Sequence, residues 1–195
     1  MTDNIQRIIQ ASIDVKAALL ADGELLQRIQ DVVAVITAAF EQHNRVYFCG
    51  NGGSAADAQH LAAELSGRFY LNRRALPAEA LHCNTSYLTA VANDYSFDAI
   101  YERLVQGITV KGDVLLGFST SGNSSNIVRA FEAARAKQVV TVGFTGQTGG
   151  VLKTSSDYLF NVPSADTPRI QESHIMIGHI ICELVEARYF KTNTP

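Results

Sequence analysis

The glycine-rich run Gly50-Asn51-Gly52-Gly53 separates an apolar segment from a helical one, which is the order of a strand, a loop and a helix. Val46-Tyr47-Phe48-Cys49 before the run is β-branched and aromatic, which is typical of a buried strand. Ser54 and Asp57 have the spacing of a capping box, so we expect a helix to begin near Ser54. A strand, a glycine loop and a helix N-terminus together direct free N–H groups at one point, which predicts an anion site there. A plain turn is the alternative.

Strand patterns alternate with helical ones along the rest of the chain, which favours a parallel sheet covered by helices on both faces. The candidate strands are 46–49, 78–83, 113–118, 139–144 and 158–162. The candidate helices are 5–20, 24–42, 86–106 with a break near 93–94, 124–137 and 168–189. We therefore predict one α/β domain over 1–195. It would be a three-layer, doubly wound parallel sheet of about five strands in 44–195, preceded by an N-terminal helical arm in 1–43.

The composition indicates an ordered globular protein without a polyanionic partner. Of the 195 residues, 47% are hydrophobic and 18% charged, and the net charge is −3. Cys49, Cys83 and Cys182 form no CxxC motif and leave an odd count, which is typical of reduced thiols. The N-terminus lacks a signal-peptide pattern and no apolar run is long enough for a membrane span. We expect a cytoplasmic protein that binds neither membrane nor nucleic acid.

The first predicted helix precedes every strand, so it has no sheet of its own to cover. Its apolar residues recur at helical spacing and are Ile5, Ile8, Ile9 and Ile13. This stripe packs either on a second copy of the chain or on the flank of its own domain.

A second loop carries the more specific chemical pattern, because hydroxyl side chains crowd the end of the strand at 113–118. These residues are Ser119, Thr120, Ser121 and Ser124. Ligands of open parallel sheets bind at the carboxyl edge, where hydroxyls and free N–H groups suit a phosphate monoester. A Ser/Thr-rich N-cap loop is the plainer alternative. Two such loops in one sheet favour a sugar-phosphate pocket.

Titratable residues on two helices are candidates for acid–base work. His60 and Glu64 are four residues apart and share a helical face. The last helix sets His174 and His179 in an apolar frame, with Gly178 permitting a close backbone approach. The alternatives are a solvated His/Glu pair and histidines that merely complete the core.

Taken together, these segments resemble the sugar isomerase (SIS) domain family, and within it the branch that isomerises heptose phosphates. The likeness rests on the 50–54 loop with Asp57, Gln59, His60, Glu64 and Arg68, then 92–95, 112–116 and 119–124. It continues through 145–150 and 162–164 to Arg169-Ile170-Gln171-Glu172 with His174 and His179. The resemblance covers nearly the whole chain.

The resemblance implies conversion of D-sedoheptulose 7-phosphate into D-glycero-D-manno-heptose 7-phosphate, the entry to heptose for lipopolysaccharide core or other surface glycans. It implies a homotetramer with active sites between subunits. It assigns Glu64 and His179 as the catalytic pair. The implied zinc ligands are His60, Glu64, Gln171 and His179. The implied substrate contacts are Asn51, Gly52, Gly53, Ser54, Glu64, Arg68, Asn93, Asp94, Ser119, Thr120, Ser121, Ser124 and Gln171.

The chemistry agrees with these assignments. Ketose–aldose isomerisation moves a proton between neighbouring carbons, so Glu64 would take it from C1 and return it at C2. His179 would shuttle the hydroxyl proton or polarise the carbonyl, a task that a divalent ion can also perform. Gln171 and His179 lie eight residues apart, about 12 Å along a continuous helix. Both reach one ion only at full extension, if Gln171 precedes the helix, or if a neighbouring chain supplies one of them.

Some positions depart from the family pattern. Asn84 stands where many relatives have aspartate, which puts the exact sugar in doubt, and Asp166 is a candidate replacement acid. Arg74 and Glu79 also depart from the pattern. Two other functions remain open: a non-catalytic relative that binds the replication initiator, and a sugar-phosphate-sensing module. The first lacks the glutamate and histidine that Glu64 and His179 represent, and the second usually carries a DNA-binding domain.

Overall fold

The computed structural model describes residues 2–192 and confirms the predicted α/β architecture. Five parallel strands form one sheet in the order β2-β1-β3-β4-β5. The strands are β1 Val46–Gly50, β2 Ala78–Ala80, β3 Val114–Phe118, β4 Val140–Thr145 and β5 Tyr158–Asn161. The helices are α1 Thr2–Ala21, α2 Gly23–Glu41, α3 Gly53–Ser66, α4 Thr85–Asp94, α5 Ile100–Ile108, α6 Ser125–Ala136, α7 Leu152–Ser155 and α8 Thr167–Thr192.

Alternate residues of the central strands enter two separate cores, one on each face of the sheet. Val46 and Phe48 of β1 pack with residues of α2, α3 and α8. Tyr47 and Cys49 point the other way and pack with residues of α5 and α6. This period of two places α3 and α8 in the same layer, where they can bring their side chains together.

The β2 strand is shorter than expected, and its position accounts for the unusual Glu79. The strand pairs only with β1, with Glu79 opposite Tyr47, and it is therefore an edge strand. The Glu79 side chain is exposed at this edge, so its charge is not buried, and charged residues are common on edge strands. The predicted strand 78–83 extended three residues too far because a turn begins at Leu81.

Two further differences concern the helices. The predicted helix 86–106 is divided, as the break near 93–94 suggested, into α4, a 3₁₀ turn at Phe97–Ala99 and α5. The one-turn helix α7 was not expected, because four residues are too few to show a period. None of the helices within residues 2–192 is long and apolar enough to cross a membrane.

Helix α1 contacts the domain through polar bonds and through Val15 and Leu19 near its end, and it leaves its apolar stripe uncovered. Leu19 is its one buried residue. Ser12 donates a 2.6 Å hydrogen bond to Glu172 of α8, and Arg169 of α8 donates to the Ile8 carbonyl at 2.9 Å. Four isoleucines remain 44–57% exposed and are Ile5, Ile8, Ile9 and Ile13. The stripe does not cover the flank of its own domain.

Candidate active site

The glycine loop (residues 50–53) turns the chain from β1 into α3, and two of its glycines, Gly50 and Gly53, have no room for a side chain. Gly52 is the N-cap residue at φ 57° and ψ −122°, a backbone conformation that favours glycine. A Cβ at Gly50 would collide with the backbone of Ser54, and one at Gly53 would lie 2.8 Å from the Gln171 amide nitrogen. The loop therefore holds its backbone close to α8 and presents the start of α3 to a ligand.

The predicted capping box at Ser54 and Asp57 is wrong, although the helix begins where expected. No side chain caps α3, and Ser54 is buried within its first turn. The Asp57 Oδ2 atom is buried without a hydrogen-bond partner, and burial raises the Asp57 pKa against the opposing charge of His60. The first N–H groups of α3 consequently receive no help from these side chains.

The serine loop (residues 119–124) is organised by hydrogen bonds among its own hydroxyls. The Ser119 Oγ lies 2.9 Å from the Ser124 Oγ and 3.5 Å from the Ser121 Oγ. Ser121 also accepts a bond from the Asn123 N–H at 3.1 Å. Together with the start of α6 at Ser125, this arrangement concentrates donors at the carboxyl end of β3, as a phosphate site requires.

Two asparagines join the glycine loop to the first turn of α6, directly after the serine loop. The Asn51 amide donates to Asn126 Oδ1 at 2.9 Å, and the Asn126 amide donates back to Asn51 Oδ1 at 2.8 Å. Asn126 lies in the first turn of α6 and is 2% exposed. The pair occupies both polar atoms of the Asn51 side chain. The sequence pattern missed Asn126, because a single asparagine inside a helix gives no signal of a long-range partner.

Close packing of α3 on α8 brings the predicted acid–base residues together. A Cβ at Gly178 would collide with the Leu61 side chain, so only glycine permits this approach. The His60 Nε2 lies 2.9 Å from the His179 Nε2 and 3.2 Å from a Glu64 carboxylate oxygen. These three residues form the His–Glu–His cluster (His60, Glu64 and His179); the spacing predicted the His60/Glu64 pair, and the family resemblance implied that His179 joins it.

The electrostatics of the His–Glu–His cluster favour neutral His179. Burial lowers the His179 pKa, and the neighbouring His60 lowers it further, against an opposing effect of Glu64. A neutral imidazole has one nitrogen that accepts and one that donates, which general acid–base work requires. The two Nε2 atoms face each other at 2.9 Å. Either one of them donates its proton to the other in a hydrogen bond, or both accept a shared cation.

The donor set of the cluster suits zinc. One atom from each of the three residues lies within 4.8 Å of the other two, and imidazole nitrogens with a carboxylate oxygen are usual zinc ligands. Gln171 does not join them, because its amide lies against Gly53 and it is inside α8 rather than before it. That excludes one of the routes by which Gln171 was expected to reach the ion.

Two cavities accompany these groups. The larger, of about 580 Å³, is lined by the His–Glu–His cluster together with Phe69, Tyr70, Ile175, Met176, Ile180 and Glu183. The smaller, of about 280 Å³, adjoins the serine loop and is lined by Thr120, Ser121, Asn123, Gly146, Gln147, Thr148, Ser164, Ala165, Thr167 and Ile170. Gln147 and Ser164 carry polar groups that the sequence pattern did not single out.

Other predicted contacts lie apart from both cavities. Asn93 and Asp94 end α4, where the Asn93 amide donates to Asp94 at 2.9 Å. The Arg68 guanidinium lies on the surface and makes a long 3.5 Å bond to the Phe69 carbonyl. Asn84 caps α4 by accepting the Tyr87 N–H at 3.1 Å, a role that aspartate fills equally well. The departure at Asn84 therefore concerns a helix cap.

His174 is a core residue, which was one of the two alternatives for this histidine. It is fully buried against the stacked rings of Phe118 and Phe144, and its Nε2 lies 3.2 Å from the Thr145 carbonyl. Burial lowers its pKa to about 4. A neutral His174 therefore packs against the end of β3, which the serine loop follows, and against the end of β4.

Comparison with known proteins gives a consistent result. The SIS domain family model matches residues 13–146. A phosphoheptose isomerase of Aneurinibacillus thermoaerophilus is 50% identical over 98% of this chain and 96% of its own. Solved phosphoheptose isomerase structures from Francisella tularensis (TM-score 0.91, 33% identity) and Neisseria gonorrhoeae (TM-score 0.89, 36% identity) each cover 95% of this chain and 98% of their own.

Proposed function

The chain belongs to the SIS domain family and, within it, to the phosphoheptose isomerases, and we propose on that basis that it converts D-sedoheptulose 7-phosphate into D-glycero-D-manno-heptose 7-phosphate. The observation that carries this function is the His–Glu–His cluster beside a cavity, in the same chain as a loop built for phosphate. The enzyme is an aldose–ketose isomerase. Its product would supply heptose for lipopolysaccharide core or other surface glycans.

The proposed mechanism uses Glu64 and His179 as a general base and a general acid. Glu64 takes the proton from C1 of the ketose, and the electron pair forms an enediol with C2. His179 accepts the proton of the C1 hydroxyl and gives one to the oxygen on C2. Glu64 then delivers its proton to C2, which completes the aldose. The 3.2 Å contact between His60 and Glu64 orients the carboxylate for these transfers.

The serine loop is the proposed phosphate cradle. Thr120 and Ser121 line the smaller cavity and Ser124 precedes α6, so their hydroxyls and the first N–H groups of that helix can bind phosphate oxygens together. The glycine loop and Gln171 lie between this cradle and the His–Glu–His cluster. The remaining proposed contacts are Asn51, Gly52, Gly53, Ser54, Arg68, Asn93, Asp94 and Ser119.

We propose that His60, Glu64 and His179 hold a zinc ion. When bound, the ion would act as a Lewis acid that polarises the oxygens on C1 and C2. Gln171 completes the proposed four-ligand set only by turning away from Gly53 or by coming from a neighbouring subunit.

Assembly into a homotetramer with active sites between subunits is supported by the uncovered stripe on α1. The stripe is tied to α8 through Ser12 and Arg169, so a second copy seated on it would lie next to the helix that carries Gln171 and His179. The three free thiols support the proposed cytoplasmic location.

Incubating the purified protein with sedoheptulose 7-phosphate and detecting the heptose 7-phosphate by NMR tests the proposed function. We expect turnover with this ketose, and competition by inorganic phosphate. Metal analysis and chelation should be run on protein purified without a histidine tag. Zinc near one equivalent, with activity lost on chelation and restored by zinc, is expected. No aldose under any metal condition would contradict the proposed function, and full activity without zinc would contradict the metal proposal alone.

A further inference from the structure

A buried ion pair joins α8 to the segment that follows α3. The Arg73 Nε lies 2.7 Å from a Glu186 carboxylate oxygen, and the two side chains are only 3% and 2% exposed. Removing both charges from water is costly, so such a pair persists only where the remaining donors and acceptors are also satisfied. Arg73 belongs to the segment between α3 and β2, and Glu186 lies two helical turns beyond His179 on α8.

Glu186 anchors that segment through three consecutive backbone N–H groups. It accepts hydrogen bonds from Phe69 at 3.0 Å, from Tyr70 at 2.7 Å and from Leu71 at 2.8 Å. Burial alone would raise the Glu186 pKa, but these donors and Arg73 outweigh it and hold the pKa below its ordinary value. The carboxylate is therefore ionised, and it fixes the backbone of residues 69–71 against α8.

Arg73 uses its other nitrogens to close the end of α3. Its Nη1 donates to the Leu65 carbonyl at 2.7 Å and the Gly67 carbonyl at 3.0 Å, and its Nη2 donates to the Glu64 carbonyl at 2.9 Å. Glu64 and Leu65 lie in the last turn of α3 and Gly67 is its C-cap, where free acceptors and the negative end of the helix dipole attract a cation. Arg73 thus fixes the turn that carries the Glu64 carboxylate.

The residues held by this pair form a wall of the larger cavity. Phe69 and Tyr70 line it beside Glu64 and His179, and the Phe69 ring centroid is 6.0 Å from that of His179. Arg68, a proposed substrate contact, directly precedes them in the chain. We propose that Arg73 and Glu186 are positioning residues, which fix this wall and the last turn of α3 for the substrate. The proposal rests on the proposed function of the cavity.

The variant Glu186→Gln tests the proposal with little change in size. One of its polar atoms becomes an N–H donor that faces backbone N–H donors, so the segment 69–71 should detach from α8. Arg73 remains in this variant to bond the last turn of α3, and the wall takes no part in proton transfer. We therefore expect KM for sedoheptulose 7-phosphate to rise about tenfold and kcat to change less than about threefold.

Asp113→Asn is the matched control. Asp113 is 1% exposed and accepts the backbone N–H groups of Arg45 at 2.9 Å and Val110 at 2.8 Å, and it directly precedes β3, outside the lining of the larger cavity. The Asp113→Asn variant should have a lower melting temperature than the wild type and the same KM. Equal KM in Glu186→Gln and the wild type, or an equal rise in both variants, would overturn the positioning role.

Amide hydrogen exchange gives a second measurement that does not depend on catalysis. The N–H groups of Phe69, Tyr70 and Leu71 should exchange at least about tenfold faster in Glu186→Gln, while those of β3 and β4 stay protected. Unchanged protection at residues 69–71 would contradict the proposal even if the enzyme acts on another sugar. Conversely, the wild type could lack isomerase activity while Glu186→Gln still speeds exchange at residues 69–71. That result would contradict only the proposed function.

The double variant Arg73→Met/Glu186→Leu provides a second test in case Glu186→Gln does not fold. Replacing a buried ion pair by apolar side chains of similar size often preserves stability. We expect a folded protein with a raised KM and fast exchange at residues 69–71. A folded double variant with wild-type KM would show that the pair serves stability alone.

Discussion

His174 shows how one buried side chain links the fold to pH. The folded protein keeps this imidazole neutral because burial lowers its pKa to about 4, whereas an unfolded chain protonates it near the ordinary value of a histidine. Between those two values the unfolded state binds more protons. The contribution of His174 to the free energy of unfolding therefore falls as the pH falls through this range.

His174→Gln keeps a donor for the Thr145 carbonyl and removes the titration. Between pH 7 and pH 4.5, the wild type should lose about 2 to 3 kcal/mol more of its free energy of unfolding than this variant does. Denaturant unfolding at the two pH values measures the difference. The same loss in both proteins would show that His174 does not titrate in this range.

Asn126 is a residue whose importance only the folded structure reveals. Its reciprocal hydrogen bonds with Asn51 hold the glycine loop beside the serine loop. Asn126→Asp replaces the donating amide with a second oxygen and sets a negative charge next to the phosphate cradle. We expect a cost of about 1–3 kcal/mol in substrate binding, seen as a rise in KM and in the inhibition constant of phosphate.

Asn44→Asp is the corresponding control. Asn44 donates to the Lys111 carbonyl at 3.0 Å and to the buried Asp113 carboxylate at 3.2 Å, so its variant also loses amide hydrogen bonds and gains a charge, but at the amino-terminal end of β3, away from the serine loop. Its variant should leave the inhibition constant of phosphate unchanged. If Asn126→Asp also binds phosphate normally, the two loops do not depend on the asparagine pair for their function.

Among the helices and loops, the sequence predicted local features well. The glycines at 50–53 and the hydroxyls at 119–124 are encoded within a few residues, and both loops lie where the pattern indicated. Glu64, which shares a helical face with His60, and His179, which follows Gly178, could be chosen as candidates because each is a titratable residue on a predicted helix. The resemblance to a family supplied their pairing.

The contacts that the sequence did not predict join residues far apart in the chain. Glu186 meets the backbone of residues 69–71 across more than a hundred positions, and no period or motif marks that meeting. The failed capping box at Ser54 has a similar cause, because the tight glycine turn moves the N-cap to Gly52. Local sequence patterns do not predict where tertiary packing places the end of a helix or a buried charge.

For the molecule as a whole, α1 offers an apolar surface that the single chain does not use. Ile9 and Ile13 are 55% and 51% exposed on it. Replacing either with aspartate should lower the mass found by light scattering from about four subunits and reduce activity, because a charge in an apolar interface is unfavourable. Arg7→Glu, on the same helix but outside the stripe, is the control and should keep the assembly. A fully active monomer would contradict the proposed tetramer.

In the proposed function, Glu64 moves the proton between C1 and C2 of a sugar phosphate. Glu64→Gln keeps the size of the side chain and removes the base, so its turnover of sedoheptulose 7-phosphate is the most direct measurement. We expect kcat to fall by at least about a hundredfold, while calorimetry shows substrate binding within a few-fold of the wild type. A variant that converts the ketose at near wild-type kcat would contradict the account.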